Sequence, residues 1–183
     1  MKKIITKIAL AVSVLIAVIC VFAGCGENSE NGSGKNYSLT ETTFFMVMSN
    51  MLYFPEQYLG SSIDLDCFVY EIEDVKTGEQ FSCGVRKCSS GFGCTCGNDT
   101  IIGFILDYDG EIPAARNQSE DNGDKTWIHI SGGLVSAEKT YVNVYTYVDG
   151  EQTDNIEQIY FYRFHVETLK EIDGTGLKYY VTN

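Results

Sequence analysis

Cysteine residues are the most concentrated chemical signal in this sequence of 183 residues. Apart from Cys20 in an apolar leader and Cys25 directly after it, the cysteines are Cys67, Cys83, Cys88, Cys94 and Cys96. Cys88, Cys94 and Cys96 flank a glycine-rich loop, and three thiolates brought together by a loop suit a thiophilic metal. We predict that these three bind a metal, zinc first, with Asp99 as the remaining ligand or as the residue that orients the others.

Disulfide bonds are the main alternative, because an exported chain meets oxidants. Cys88 could bridge to Cys94 or Cys96 across the loop, but an odd number of cysteines cannot all pair. Inert thiols are a second alternative, since Cys67 and Cys83 fall on apolar strand faces where cysteine packs as a small hydrophobe. Thiol oxidoreductase activity is the third, although the Cys-X-X-Cys pattern that lowers a thiol pKa is absent.

Aromatic and histidine side chains are the other candidates for binding. Tyr141, Tyr145 and Tyr147 share one face of a predicted strand and would stack sugars or bases if exposed. Packing against the N-terminal helix is the alternative that we favour for this tyrosine stripe. His129 and His165 each lie between apolar neighbours, so we expect hydrogen-bonded structural histidines rather than metal ligands.

Composition excludes several classes of function. The formal net charge is -12, with 13 Lys and Arg against 25 Asp and Glu, and binding to nucleic acid phosphates needs clustered basic residues. The sequence contains no nucleotide-binding loop, nucleophile elbow or HExxH motif. We therefore expect a protein that is not an enzyme and does not bind nucleic acid.

The N-terminal residues resemble a bacterial lipoprotein signal peptide. Lys2, Lys3 and Lys7 precede an apolar stretch over 8–23, and Phe22-Ala23-Gly24-Cys25 resembles the lipobox whose cysteine is acylated. We expect residues 1–24 to be removed, Cys25 to carry the lipid and 25–36 to form a flexible tether. One domain, 37–183, would then lie on the outer side of the cell membrane.

One helix and a series of strands are predicted in that domain. Ser38 and Glu41 have the spacing of a capping box, and an apolar stripe follows at helical spacing: Phe44, Val47, Met48, Met51 and Leu52. Pro55 ends this helix. Alternating segments separated by glycine turns then predict six or seven strands, with a bulge or bend at Gly132-Gly133. We predict an all-β fold, a small antiparallel OB-like barrel with one N-terminal helix, and the alternative is a two-sheet sandwich.

Several short motifs in the same order carry a family resemblance. They are Pro55–Gly60, Ile63–Leu65, Phe68–Tyr70, Arg86, Cys94–Asp99, Gly103 and Trp127–Gly132. Together they resemble an uncharacterised bacterial family of small OB-like domains, typically membrane-anchored and encoded beside a predicted permease. The resemblance implies an OB-like fold, an extracytoplasmic location and a partner permease. Here Thr95 separates the two cysteines that are usually adjacent in that family, and Asp99 stands for its aspartate.

The functional prediction combines these observations. We expect a lipid-anchored binding or accessory protein outside the membrane, a metal-binding subunit associated with a permease. A surface module that binds its ligand with Tyr141, Tyr145 and Tyr147 is the alternative.

Overall fold

The computed structural model describes residues 34–88, 100–118, 124–148, 151–178 and 180–181. Its helices are α1 (Phe44–Tyr53) and a short 3-10 helix (Pro55–Tyr58). Its strands are β1 (Asn36–Leu39), β2 (Ser62–Glu73), β3 (Gln80–Cys88), β4 (Thr100–Asp107), β5 (Trp127–Leu134), β6 (Thr140–Val148), β7 (Glu151–Glu171) and β8 (Tyr180–Val181). No helix in these described ranges is both long enough and apolar enough to span a membrane.

Helix α1 begins at Phe44, three residues after the end of the predicted capping box at Glu41. Ser38 lies in β1, and the N-cap position is Thr43, whose side chain does not cap the helix. The capping box is therefore wrong, because Ser38 pairs with the sheet and Glu41 binds Arg86 instead. The apolar stripe is confirmed in outline, since Phe44, Met48 and Met51 are buried in the core; Val47 and Leu52 are only partly buried.

The strands form one mixed sheet in the order β1-β2-β5-β7-β4-β3-β8, with β6 paired to β7. Strand β2 also pairs with β3. The first and last strands of the series β2-β5-β7-β4-β3 are therefore hydrogen-bonded to each other. The mainly β fold with one short helix is confirmed. The sheet is mixed rather than purely antiparallel: among the described strands, five pairs are antiparallel and three are parallel, namely β1–β2, β3–β8 and β4–β7. The parallel pair β4–β7 joins two strands that are distant in the sequence, which strand spacing alone does not reveal.

Side-chain alternation along the strands agrees with the predicted pattern. In β2, Ile63, Leu65, Cys67 and Val69 are all buried, while Asp64 and Asp66 are half-buried. Strand β4 is buried from Ile102 to Leu106, as its continuous apolar run predicts. The predicted irregularity at the two glycines is present, since the pairing of β5 with β7 shifts between Ser131 and Gly132.

Two apolar clusters stabilise the fold. One contains α1 and an inward face of the sheet, where Phe104 and Phe164 stack with centroids 4.9 Å apart. The other lies where β6 and the first half of β7 cover β2, β3 and β4, and it includes Phe68, Val142 and Phe161. The β6–β7 hairpin is therefore packed against a second face of the sheet, and it is this hairpin that forms one wall of the candidate site.

Candidate functional site

The predicted metal ligands are only partly visible in the structure. Cys94, Cys96 and Asp99 lie outside the described residues, as does the lipidation residue Cys25. Cys88 ends β3 with 1% of its surface exposed, and it belongs to the first apolar cluster. No group of three or more His, Cys, Asp or Glu side chains that could hold a metal occurs within the described ranges. The metal site stays a prediction.

Three cysteines in the described chain are free and buried. Burial raises the pKa of Cys67, of Cys83 and of Cys88 from 9.0 to about 12 in each case. Because the thiolate is the form that attacks disulfides, burial disfavours the reactive form of these thiols in the folded protein. For Cys67 and Cys83 this agrees with the apolar faces on which the sequence places them.

The tyrosine stripe is exposed. The exposed fractions of Tyr141, Tyr145 and Tyr147 are 52%, 37% and 62%. The preferred expectation, that these rings pack against the N-terminal helix, is therefore wrong. The physical reason is that the opposite face of β6 supplies the packing: Val142 is fully buried in the second apolar cluster, which leaves the tyrosine face outward.

A groove of about 860 Å³ lies beside the β6–β7 hairpin. We call it the hairpin groove. Its lining includes Tyr145 and Tyr147 of β6, Tyr160 of β7, Tyr70 of β2 and Ile101 of β4. Tyr141 is not among the residues that line the groove, and its ring lies 6.2 Å from that of Tyr160. The groove therefore gathers two members of the predicted stripe with two tyrosines from other strands.

The position of the hairpin is fixed by one aspartate in the β2–β3 turn. Asp74 Oδ2 accepts hydrogen bonds from Asn143 N at 3.0 Å and from Asn143 Nδ2 at 2.7 Å. Asn143 O in turn accepts a hydrogen bond from Val75 N at 2.9 Å. The other carboxylate oxygen of Asp74 accepts from the backbone N–H groups of Lys76 and Thr77. Asp74 thus joins the turn to the middle of β6.

These hydrogen bonds also determine the charge of Asp74. They lower the pKa of the Asp74 carboxyl well below its usual range, and the backbone N–H of Asn143 contributes most. Asp74 itself is buried, with 5% of its surface exposed. An ionised carboxylate that accepts several N–H groups is strongly held, so the hairpin is a fixed wall of the groove.

Tyrosines from the two walls of the groove are close enough to interact. Burial raises the pKa of Tyr70, and the neighbouring Tyr147 adds to the rise. Tyr147 Oη also donates a hydrogen bond to Gln152 Oε1 at 3.3 Å, which ties the ring to the other strand of the hairpin. Tyr70 and Tyr160 were not predicted as site residues. The alternation of β2 places Tyr70 on a solvent-facing side, but only the fold shows that β6 and β7 approach it.

One of the two histidines occupies the hydrogen-bonded position that the sequence predicts. His129 Nδ1 lies 2.8 Å from Asp66 Oδ1 on the neighbouring strand, which confirms the expectation for this residue. His165 is exposed on β7, opposite Asp107 of β4, and its ring makes no hydrogen bond within the described part of the chain, so the expectation is not met there.

Comparison with known proteins places the chain in a family of unknown function. Neither a curated protein nor a solved structure matches the chain. Residues 27–163 match the family described as the DUF1980 C-terminal domain, and this family supplies no evidence for an enzymatic activity. The match covers most of the chain and ends in the middle of β7. The protein therefore belongs to the DUF1980 C-terminal domain family.

Proposed function

We propose that this protein is a non-catalytic binding protein, held by a lipid on Cys25 at the outer side of the cell membrane, that takes its ligand in the hairpin groove. The observation that carries the proposal is the meeting of Tyr70, Tyr145, Tyr147 and Tyr160 in one concave groove. Aromatic rings bury a large apolar area at small conformational cost, which is why binding sites are rich in them. An accessory role beside a permease rests on the family resemblance alone.

Binding in the groove is tested with a neutral aromatic probe. Titration of the full chain, purified in a non-ionic detergent, with benzyl alcohol should shift the ring resonances of the groove tyrosines in NMR spectra. Tyr147→Ala should abolish most of these shifts, because Tyr147 lines the groove and lies close enough to Tyr70 to influence its pKa. Tyr141→Ala is the matched control, since Tyr141 is an exposed tyrosine of the same strand outside the lining. Shifts that are lost equally in both variants would contradict the proposal.

The location is tested separately by replacing the lipidation residue. Cys25→Ser should release the protein from the membrane fraction or leave the leader uncleaved, because the lipobox cysteine is both the acylation and the cleavage position. Unchanged size and unchanged membrane retention would count against a lipid anchor.

We further propose that the inner strands form an OB-like barrel. The pairings β2–β3, β3–β4, β4–β7, β7–β5 and β5–β2 lead back to the strand from which they start. Closure of this kind removes free strand edges, and OB domains use it in a five-stranded form. If the ring is closed, backbone amides in the β2–β3 pair should exchange with solvent as slowly as those of β5. Fast exchange confined to β2–β3 would indicate an open sheet.

A further inference from the structure

Helix α1 exposes large apolar side chains on the side that faces away from the core. Its inner side packs in the first apolar cluster. The outer side carries Met46 and Tyr53, which are 62% and 66% exposed, and positions i and i+7 share one face of a helix. Phe54, directly after the helix, is 52% exposed. We call Met46, Tyr53 and Phe54 the α1 patch. Apolar side chains exposed together in this way mark an interaction surface.

The α1 patch carries no charge. It lies within residues 42–55, the longest run without Asp, Glu, Lys or Arg after the apolar leader of a chain whose formal net charge is -12. At the start of this run, Glu41 is neutralised by an ion pair with Arg86 at 2.5 Å. Ser49 and Asn50 add polar but neutral groups to the outer side of the helix. This face can therefore leave water without the cost of desolvating a charge.

The outer side of α1 lies beside the segment through which the described chain begins. The rings of Tyr37 in β1 and Tyr58 have centroids 5.0 Å apart, and Tyr58 Oη accepts a hydrogen bond from Asn50 Nδ2 at 2.7 Å. Residues 25–33 separate the predicted lipid site from the start of the described chain, and a segment of that length spans at most about 30 Å. A lipid on Cys25 would therefore keep α1 close to the membrane surface.

We infer that the α1 patch rests on the headgroup region of the lipid bilayer into which the lipid on Cys25 inserts. The inference rests on the proposed function, because it needs the anchor, and it names the bilayer as the partner of a second surface. Tyrosine is enriched at membrane–water interfaces, where the ring lies in an apolar layer and the hydroxyl group stays in water. The anchor raises the local concentration of membrane surface, so a small patch is sufficient for contact.

Relaxation by a spin-labelled lipid tests this contact. The processed chain, with its lipid verified by intact mass, is placed in phosphatidylcholine bicelles that contain a lipid with a nitroxide headgroup, and tyrosine ring resonances are followed by NMR. We expect the Tyr53 resonances to broaden strongly. Tyr147 is the internal reference, because it is similarly exposed, at 62%, but lies on β6, and its resonances should broaden much less. The bicelles contain no other protein, so the broadening reports on lipid alone.

A charge variant assigns the contact to the α1 patch. Met46→Glu should lower the broadening of Tyr53 roughly fivefold, because a charge would then have to leave water on docking. Val135→Glu is the matched control, since it adds the same charge at an exposed apolar residue outside α1, and it should leave the broadening unchanged. Added salt should not weaken the contact. Phosphatidylglycerol should weaken it, because the chain as a whole is acidic.

The outcomes separate the contact from the anchor. If the acylated chain stays bound to bicelles but Tyr53 and Tyr147 broaden equally, the contact is overturned and the anchor stands. An equal loss of broadening in Met46→Glu and Val135→Glu would likewise overturn the assignment to the α1 patch. A processed chain without a lipid on Cys25 would overturn the anchor, and with it the contact, while the hairpin groove would be unaffected.

Discussion

Arg86 is the largest fully buried side chain in the described chain, and several neighbouring groups compensate its positive charge. Its Nε donates to Asp66 O at 2.9 Å, Nη1 donates to Lys178 O, and Nη2 forms an ion pair with Glu41 at 2.5 Å. The guanidinium also lies over the Trp127 ring, 4.8 Å from its centroid. A buried charge is tolerated only with such partners. Arg86 thus joins β2, β3, β5, the segment before α1 and the C-terminal segment.

Replacing Arg86 with methionine should cost about 3 kcal/mol of unfolding free energy, because it leaves Glu41 without its partner and two backbone carbonyls without donors. Urea unfolding followed by circular dichroism measures the loss. Glu41→Gln is the control, since the amide oxygen still accepts from Arg86, and we expect a loss of about 1 kcal/mol. Equal losses in the two variants would show that the ion pair, rather than the guanidinium network, supplies the stability.

The cysteine thiols should resist alkylation until the protein unfolds. In the native protein at pH 8, iodoacetamide should leave Cys67, Cys83 and Cys88 unmodified, because their pKa is raised to about 12. The unfolded thiols, with a pKa near 9.0, ionise earlier than the folded ones. Their contribution to stability is therefore complete below about pH 9 and is lost as the pH rises towards 12. Peptide mass spectrometry after labelling is the measurement.

The same labelling experiment distinguishes two roles for Cys88, as a ligand of the predicted metal site or as a buried core residue. A site formed by Cys88, Cys94, Cys96 and Asp99 requires that a chelator expose three reactive thiols. The packing of Cys88 in the core implies that Cys88 stays unlabelled with or without chelator. Labelling of Cys88 only after chelation would support the metal site and would show that the end of β3 opens when the ion leaves.

At the scale of elements, the Asp74 carboxylate joins the β2–β3 turn to the middle of β6. We expect Asp74→Ala to speed hydrogen exchange of the β6 amides, Asn143 first, because both the bonds to the turn and the bonds to β6 are lost. Asp173→Ala is the control, since Asp173 accepts similar hydrogen bonds from Thr175 but lies away from the hairpin in an exposed segment. An equal effect of both variants on the β6 amides would show that the hydrogen bonds of Asp74 do not hold β6 in place.

The pH dependence of the hairpin follows from the same bonds. The pKa of Asp74 is lowered in the folded state, so its contribution to stability is present above its ordinary pKa of 3.8 and is lost as the pH falls below it. Exchange of the β6 amides, corrected for the intrinsic rate, should therefore increase in acid before the rest of the sheet loses protection. If the β6 amides lose protection only at the pH at which the β2 amides also lose it, the hairpin does not open separately from the rest of the sheet.

Most individual helices and strands could be predicted from the sequence, but the tertiary contacts between them could not. The alternation Ile63–Val69 and the continuous run 101–106 predict strands and their buried faces, because burial on one or two sides leaves a direct trace in the residue pattern. The pattern of Tyr141, Tyr145 and Tyr147 predicts a shared face but not its environment. That environment depends on which sheet face the hairpin covers. The contacts made there, such as the hydrogen bonds between Asp74 and Asn143 and the packing of Val142 on Phe68, join residues that are distant in sequence and carry no periodic signal.

At the scale of the whole molecule, the sheet extends beyond the family match. The match ends at residue 163, within β7, whereas residues 164–171 of that strand pair with β5 from Ile128 to Leu134. Phe164 and Val166 of this extension are buried in the first apolar cluster. The C-terminal half of β7 therefore completes the core, and the groove, which lies on its first half, falls inside the matched region.

The N-terminal boundary of the folded domain lies slightly before the predicted one. Strand β1 begins at Asn36 and pairs in parallel with β2, and Lys35 O accepts a hydrogen bond from Ser62 N at 2.9 Å. Leu39 is buried, and the rings of Tyr37 and Tyr58 lie 5.0 Å apart. Residues 36–39 are thus an edge strand of the sheet and part of its core.

Two truncations test this boundary. A chain that begins at Gly34 should keep the urea midpoint of the chain that begins at Cys25, because it retains β1 and the Lys35 carbonyl. A chain that begins at Thr40 should lose about 3 kcal/mol, roughly 2 from burial of Leu39 and about 1 from the Tyr37–Tyr58 ring pair. Removal of β1 also uncovers the edge of β2, so the shorter chain should self-associate in a concentration-dependent way, which analytical ultracentrifugation measures. An unchanged midpoint in a monomeric chain that begins at Thr40 would show that β1 belongs to the tether and not to the domain.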